Sequence, residues 1–404
     1  MARDRKATGR RWKVAAAVLG VSAAGIFAAW ANAPDPRFNP ASFEDEPLVQ
    51  RVAPLDEAIT LAQFRGRDGQ PRTLLVLARD GEQVMGIDLA ALGAQETADP
   101  FKALASANLA LLQAASGPAV ARMTLPIDAL LPSAPPGAQH IGTGTNFPEH
   151  AREANSGGVF QFPKFGHATP PRTEVSARAG ILLDYEVEIC VRFDRPVRSL
   201  ADFDASVKAF FLCGDFTNRN ALIEFADPDN LNSGRGFSDA KSGPDFFPTG
   251  PFLVVPRDWK AFVANIRMTT SVNGQPRQDA RGREMTLDFR ALADKALSDM
   301  EAPRFLYAGG YTKLMPDLVI PADSTLMSGT SEGTIFTPPT RADFIEASLA
   351  YLLQGGPLSK RSAFDIARQT FIANELAGEH YLQPGDIVRH GSSYLGDITV
   401  KVTN

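Results

Sequence analysis

One eleven-residue segment limits the possible folds more than any other. Ile181-Leu182-Leu183-Asp184-Tyr185-Glu186-Val187-Glu188-Ile189-Cys190-Val191 has a period of two. As a strand it sets Leu183, Tyr185, Val187, Ile189 and Val191 on one face and Asp184, Glu186, Glu188 and Cys190 on the other. Carboxylates at i and i+2, about 7 Å apart along a strand, repel each other when buried unless a cation or a proton compensates. A divalent metal explains them economically. On this segment alone, a solvent-facing polar side of a half-exposed antiparallel strand explains them equally well.

Two further constellations favour the metal. Asp215 follows the apolar run Ala209 to Cys213, with Thr217 and Arg219 just beyond. An all-carboxylate oxygen site completed by water suits a hard ion, Mg2+ or Mn2+, better than zinc. Upstream, His150 and Glu153 stand at i and i+3 in Asn146-Phe147-Pro148-Glu149-His150-Ala151-Arg152-Glu153, on one side of a helical turn. A carboxylate beside an imidazole fixes its orientation and raises its basicity, as a general base requires. A surface His-Glu pair is the plainer alternative.

The order of motifs along residues 138–404 resembles the fumarylacetoacetate hydrolase (FAH) superfamily. The resemblance rests on Gly142-Thr143-Gly144-Thr145-Asn146 through His150 and Glu153, Val159 to Lys164, Leu183 to Glu188, Gly214-Asp215 through Arg219, and Lys241-Ser242-Gly243-Pro244-Asp245-Phe246-Phe247-Pro248-Thr249-Gly250-Pro251. It continues with Val272-Asn273-Gly274 and Gln278, Ser328 to Gly333, and Pro384-Gly385-Asp386. It implies metal ligands at Glu186, Glu188 and Asp215, a water-activating dyad of His150 and Glu153, and Lys241 beside the developing enolate. It also implies substrate contacts at Lys164, Arg219, Gly329 and Thr330. The implied activity is metal-dependent hydrolysis of a carbon-carbon bond in an acylpyruvate-like or β-diketo acid, with homodimerisation. Isomerase, hydratase or decarboxylase chemistry on a related oxo-acid, or a non-catalytic ligand-binding protein, are the alternatives. The chain departs from the family pattern at Gly214, where members commonly have Asn, at Asn220, where an acidic residue is usual, and at Phe147-Pro148-Glu149.

The rest of the chain supplies the context. Arg3, Arg5, Lys6, Arg10, Arg11 and Lys13 precede an uncharged run from Val14 to Ala33, the order of a secretory signal and also about the 20-residue length of a membrane anchor. Either places the remainder outside the cytoplasm, in the periplasm or held at the membrane. Residues 34–48 read as a linker. Apolar runs at Ala58 to Phe64, Thr73 to Ala78 and Gln83 to Leu89, with Asp80-Gly81 between two of them, predict hairpins, and a helix is expected from about Pro100 to Ala115. The expected architecture is α+β, mostly β: a small β-rich domain over 49–137 and a mixed β-roll or sandwich catalytic domain over 138–404. Strands are expected at Gly180 to Phe193, Phe252 to Val255, Val263 to Ser271, Leu318 to Pro321 and within Asp386 to Val402.

A two-helix insertion interrupts that domain at 338–380. Its capping box is Thr340 with Asp343, and its apolar stripes are Phe344, Ile345, Leu349, Leu352 and Leu353, then Phe364, Ala367, Phe371, Ile372 and Leu376. The stripes suit a cap over the site, a dimer contact or a covered sheet face. A balance of 41 Lys+Arg against 46 Asp+Glu argues against nucleic acid as a partner. Two cysteines exclude a multi-thiolate zinc site and allow one bridge, which needs their Cα atoms about 4.4–6.8 Å apart.

Overall fold

The protein is described by a computed structural model covering residues 22, 24–33, 38–108, 120–178, 180–227 and 229–404. Turn chemistry builds its first part. β1 (Ala58–Arg65), β2 (Pro71–Asp80) and β3 (Gln83–Asp88) follow the three apolar runs, and Gly81 takes φ +55° in the tight turn between the last two, where a side chain would be strained. Asp99 caps the next helix by accepting from the backbone N–H groups of Phe101 and Lys102, with Pro100 in its first turn. This helix, α1 (Pro100–Ser106), ends earlier than its apolar spacing predicts, and residues 109–119 lie outside the described residues. β4 (Met123–Pro126) closes the meander against β3.

The remaining strands are β5 (Gln139–Gly144), β6 (Phe160–Phe165), β7 (Arg172–Ser176), β8 (Leu183–Asp184), β9 (Val187–Phe193), β10 (Lys208–Gly214), β11 (Thr217–Asn218), β12 (Leu253–Pro256), β13 (Arg267–Val272), β14 (Gln275–Arg281), β15 (Phe305–Tyr307), β16 (Gly310–Thr312), β17 (Leu326–Met327), β18 (Ile387–Ser392) and β19 (Asp397–Thr403). Ten of the strands form one sheet in the order β4-β3-β2-β1-β12-β10-β9-β17-β5-β6. A five-stranded sheet runs β14-β13-β18-β19-β7. β1 pairs antiparallel with β12, so the meander expected as a separate small domain adds its strands directly to the sheet that carries Glu188.

Apolar layers cover both faces of the large sheet. Val187, Ile189, Val191, Phe210 and Leu212 join the larger core, while Cys190, Ala209, Phe211 and Cys213 join a second one with Leu61, Leu75 and Met327. The alternation read from the sequence therefore holds, but the polar side is not solvent-facing, because Asp184, Glu186 and Glu188 are all buried. The strand expected over 180–193 is also broken. Asp184 Oδ1 accepts from Tyr185 N–H, Gln278 Oε1 from Val187 N–H and the Glu186 carbonyl from Asp215 N–H, so this stretch bonds outside the sheet ladder.

Other local expectations change for similar reasons. Asp258 caps a helix at Trp259–Asn265 where a strand was expected to start, and the strand begins only at Arg267. The run Leu318 to Pro321 contributes one isolated bridge, Val197 to Ile320. Residues 38–48 of the expected linker are tied down: Asn39 bonds the carbonyls of Thr334 and Phe336, and Glu44 pairs with Arg281.

The chain divides into two compact units, Phe38–Phe336 with Glu379–Asn404, and residues 1–37 with Thr337–Gly378. The second contains the expected insertion as α5 (Arg341–Leu353) and α6 (Ala363–Gly378), with the Thr340–Asp343 capping box formed. Its stripes are not core, since Phe344, Leu349, Leu352, Leu353 and Phe364 are exposed and the buried helix residues are Ala347, Ile366 and Phe371. Most of the segment expected to be a signal or an anchor lies outside the described residues, though 24–31 are helical. Among the described residues no helix is long and apolar enough to cross a membrane.

Cys190 and Cys213 form a disulfide across the neighbouring strands β9 and β10, with Cα atoms 6.0 Å apart. It lies two residues from Glu188 on one strand and two from Asp215 on the other. The bridge closes a loop between positions 23 apart. The double variant Cys190→Ala/Cys213→Ala should lose about 3 kcal/mol of stability, measured as a lowered midpoint in urea unfolding.

Two histidines are buried in the same unit. His140 places Nε2 against the Gly166 carbonyl and accepts Thr325 N–H at Nδ1, so the neutral tautomer fills both positions and a second proton would face a donor. His390 bonds Thr270 Oγ1 through Nδ1, and its Nε2 has no partner. Burial lowers both imidazoles from the ordinary 6.5 to about 3. A lowered pKa means that the unfolded chain binds the proton first, so stability present above pH 6.5 is lost as pH falls toward 3. Wild type should therefore lose stability relative to His390→Asn by about 1.4 kcal/mol per pH unit below 6.5, read from denaturant unfolding between pH 6.5 and 4.

Candidate metal and catalytic site

Four carboxylates and three cations meet inside the larger unit with almost no exposure to water. Glu186 sits in the break between β8 and β9, Glu188 on β9, and Asp215 just past β10. Glu186, Glu188 and Asp215 each bring one carboxylate oxygen within 4.8 Å of the others. Asp184 turns away from this triad to accept from Arg219 Nε (2.8 Å) and from the backbone N–H groups of Ile335 and Phe336.

The cations come from three other elements. Lys164 on β6 donates to Asp215 Oδ1 at 2.7 Å and to the carbonyls of Lys241 and Phe246. Lys241, the last residue of the helix Phe237–Lys241, donates to Glu186 Oε2 at 2.6 Å and Thr217 Oγ1 at 2.9 Å, and lies 2.9 Å from Asp215 Oδ2. Arg219 spans Asp184 and Glu186. Three short helices set these positions: α2 (Pro148–Glu153) carries the His150 pair, α3 (Arg219–Phe225) begins at the arginine, and α4 (Phe237–Lys241) ends at the lysine.

The charges sort themselves unevenly. Burial alone would push Glu186 up, but Lys241, Arg219 and His150 outweigh it and hold its carboxyl at about 2. Glu188 moves the other way, well above the usual carboxylate range, through burial and then the neighbouring Asp215. Burial lowers Lys164, against the pull of Asp215, whereas Asp215 and Glu186 overcome burial and raise Lys241. Glu188 is the carboxylate without a cation: among the described residues none lies within ion-pair distance of it. Its Oε2 accepts from Gly329 N–H at 2.8 Å, and its buried Oε1 has no hydrogen bond. Asp215 Oδ2 likewise makes none, although Lys241 Nζ is near.

Buried carboxylates gathered this closely, two of them with an oxygen that makes no hydrogen bond, are costly unless a cation joins them. The donor set therefore fits a hard divalent ion, with Glu186, Glu188 and Asp215 as its ligands. Gly329 adopts φ +81°, and a Cβ there would meet the Thr143 carbonyl at 3.1 Å and Asn146 Cβ at 3.3 Å. Only glycine lets the backbone reach Glu188 in this way.

His150 Nδ1 and Glu153 Oε2 are 2.8 Å apart, and Glu153 Oε1 accepts from Gly333 N–H at 2.7 Å. A carboxylate only accepts, so Nδ1 carries the proton and Nε2 is left as the ring's acceptor. Gly333 belongs to the segment whose Gly329 N–H bonds Glu188, and its carbonyl accepts from the Tyr185 hydroxyl, which sets the dyad beside the triad. Lys164, Arg219 and Thr330, expected as substrate contacts, are engaged within the protein. Thr330 Oγ1 donates to the Val187 carbonyl at 3.0 Å and accepts from Gln278 Nε2 at 2.9 Å.

Gln278 and His390 make up a supporting network that spacing did not reveal. His390 Nδ1–H bonds Thr270 Oγ1, whose hydroxyl donates to Gln278 Oε1, and Gln278 Nε2 holds Thr330 and the Ser331 carbonyl. The departure at Gly214 also has a spatial basis, because a Cβ there would meet Pro248 at 2.9 Å and His390 Nε2 at 3.3 Å. His390 lies on β18, 176 positions along the chain from Gly214, and no local pattern marks it.

Residues 139–403, well over half of the chain, match the fumarylacetoacetate (FAA) hydrolase C-terminal family. The chain belongs to the fumarylacetoacetate hydrolase family. No curated protein matches it. Among solved structures, a probable 2-hydroxyhepta-2,4-diene-1,7-dioate isomerase from Mycobacterium abscessus is 22% identical with a TM-score of 0.51, covering 86% of this chain and 98% of its own. Fumarylacetoacetate hydrolase from psychrophilic Exiguobacterium antarcticum is 17% identical at a TM-score of 0.50, with 85% and 99% covered. At such identities these likenesses establish the fold. The family's enzymes act on small molecules, include hydrolases and isomerases, and typically depend on a divalent metal.

Titrating Mn2+ into the metal-stripped protein by calorimetry should show one ion per chain. Glu188→Gln, which preserves shape and the Gly329 contact, should weaken binding by more than the ~100-fold that a supporting residue costs, with an unchanged circular dichroism spectrum.

Proposed function

We propose that the protein is a divalent-metal-dependent hydrolase that cleaves a carbon-carbon bond in an acylpyruvate-like or other β-diketo acid. The observation that carries this reading is the His150–Glu153 pair oriented beside three buried carboxylates, two of which, Glu188 and Asp215, keep an oxygen without a hydrogen bond. A Mg2+ or Mn2+ ion on Glu186, Glu188 and Asp215 would supply Lewis-acid polarisation of the substrate oxygens. The chain's own residues account for the rest. His150 Nε2 takes a proton from water while Glu153 holds the imidazole in the required tautomer. The water oxygen bonds to the carbonyl carbon, the adjacent carbon-carbon bond breaks, and its electron pair passes to the departing enolate. The Lys241 ammonium offsets the charge on that enolate. Arg219 and Lys164 hold Glu186 and Asp215 in place.

Isomerisation of a related oxo-acid is a second reading, favoured by the isomerase from M. abscessus that shares the fold. There the same dyad would move a proton between two carbons and add no water. The Cys190–Cys213 bridge and the basic-then-apolar amino terminus support export to an oxidising compartment.

The test follows loss of enol absorbance for acylpyruvates, oxaloacetate and diketo acids with and without Mg2+ or Mn2+. Turnover should require the ion, vanish in Glu186→Gln and fall by about 100-fold or more in His150→Ala. In 18O-labelled water, hydrolysis places label in the carboxylic acid product. A product of unchanged mass and no label would instead establish the isomerase.

A further inference from the structure

We propose that the α5–α6 hairpin is a membrane-docking element whose apolar, basic tip lies in the interface of an anionic bilayer. Its exposed side chains are the first reason. Phe344 is 64% exposed, Leu352 65%, Leu353 79%, Leu358 93% and Phe364 61%. Each leucine or phenylalanine left in water forgoes about 1.5–3 kcal/mol of burial, and contiguous apolar surface of this kind marks an interaction site. Both helices form as their sequence dictates, with α5 capped by Thr340 and Asp343. The exposure is thus a property of folded helices.

Charge distribution selects lipid. Between Glu346 and Asp365 the only charged residues are Lys360 and Arg361, on either side of which stand Leu358 and Phe364. Arg361 bonds the amides of Gln354 and Gln369. The acidic groups are engaged elsewhere: Asp343 with Thr340, Glu346 with Trp30 and Asn374, and Asp365 with Ser362 and Arg368. An apolar tip carrying only positive charge suits an anionic headgroup layer.

The course of the chain points the same way. The uncharged run from Val14 to Ala33 enters this unit as the helix at 24–31, where Ile26 and Phe27 are also exposed. Trp30 Nε1 donates to Glu346 Oε1 at 2.6 Å, joining the end of that run to α5. A bilayer that takes up the run would therefore meet the hairpin beside it, with a tryptophan at the boundary where such residues concentrate. Neither hairpin helix is long and apolar enough to cross a membrane, so the hairpin lies on the surface.

The test uses the full chain with Leu358→Cys, whose new thiol is the only free one because Cys190 and Cys213 are paired. An environment-sensitive fluorophore on it is read in phosphatidylcholine vesicles with and without phosphatidylglycerol, some carrying nitroxide-labelled lipid. The expected result is a blue shift and nitroxide quenching that increase with phosphatidylglycerol. Adding Leu352→Glu and Leu353→Glu, at exposed positions, should restore the aqueous spectrum with unchanged circular dichroism. An aqueous spectrum at position 358 while the protein sediments with vesicles would overturn the proposal. So would shielding without lipid that rises with protein concentration, which would assign the face to a second copy.

Discussion

The buried ion lattice around Glu186 is the constraint on which the rest of the larger unit depends. Lys241 and Arg219 both bond that carboxylate, Lys241 and Lys164 both approach Asp215, and Arg219 continues to Asp184. Removing one partner from such a group leaves an uncompensated charge in a medium that cannot solvate it, at a cost of about 3–5 kcal/mol. The β6 strand, the breaks after β8 and β10, and the ends of α3 and α4 must therefore hold together. The lattice ties distant parts of the chain to one point while leaving oxygens of Glu188 and Asp215 free of hydrogen bonds.

Covalent and hydrogen-bonded restraints keep that point from relaxing. The Cys190–Cys213 bridge links the two strands that lead to Glu188 and Asp215. On the other side, Gln278 from the five-stranded sheet bonds Val187 N–H, Thr330 and the Ser331 carbonyl, joining both segments that surround Glu188. A network with each of its polar groups paired is stiff, because any displacement breaks a bond that the interior cannot replace with water. This stiffness lets Glu188 hold an unbonded oxygen instead of rotating toward a donor.

The sequence revealed more of the site than of the architecture around it. The carboxylates Glu186, Glu188 and Asp215 and the pair His150 and Glu153 were legible because each has a local signature: period two along a strand, a carboxylate after an apolar run, and i, i+3 spacing on a helical turn. Gln278 was legible only as part of a family block, and His390 had no signature at all, since its partners Thr270 and Gly214 lie far away in the chain. The apolar stripes of α5 and α6 were read correctly as helices, while the choice among a cap, a dimer contact and a covered sheet face was not legible. Periodicity reports that a face is apolar, while what covers the face depends on the elements beside it.

The sequence by itself determined the turns, the capped helices, the alternating strand and the family to which the chain belongs, because these follow from interactions among residues close together or from motif order. Only the tertiary structure decided that both sides of the Leu183–Val191 stretch are buried, that the amino-terminal meander extends the same sheet, that the cysteines pair, and which cation faces which carboxylate. Each of those outcomes turns on where remote segments meet, and burial is a property of that meeting: the same carboxylate is an unremarkable surface group in water and a strong constraint once another layer of the fold removes the water.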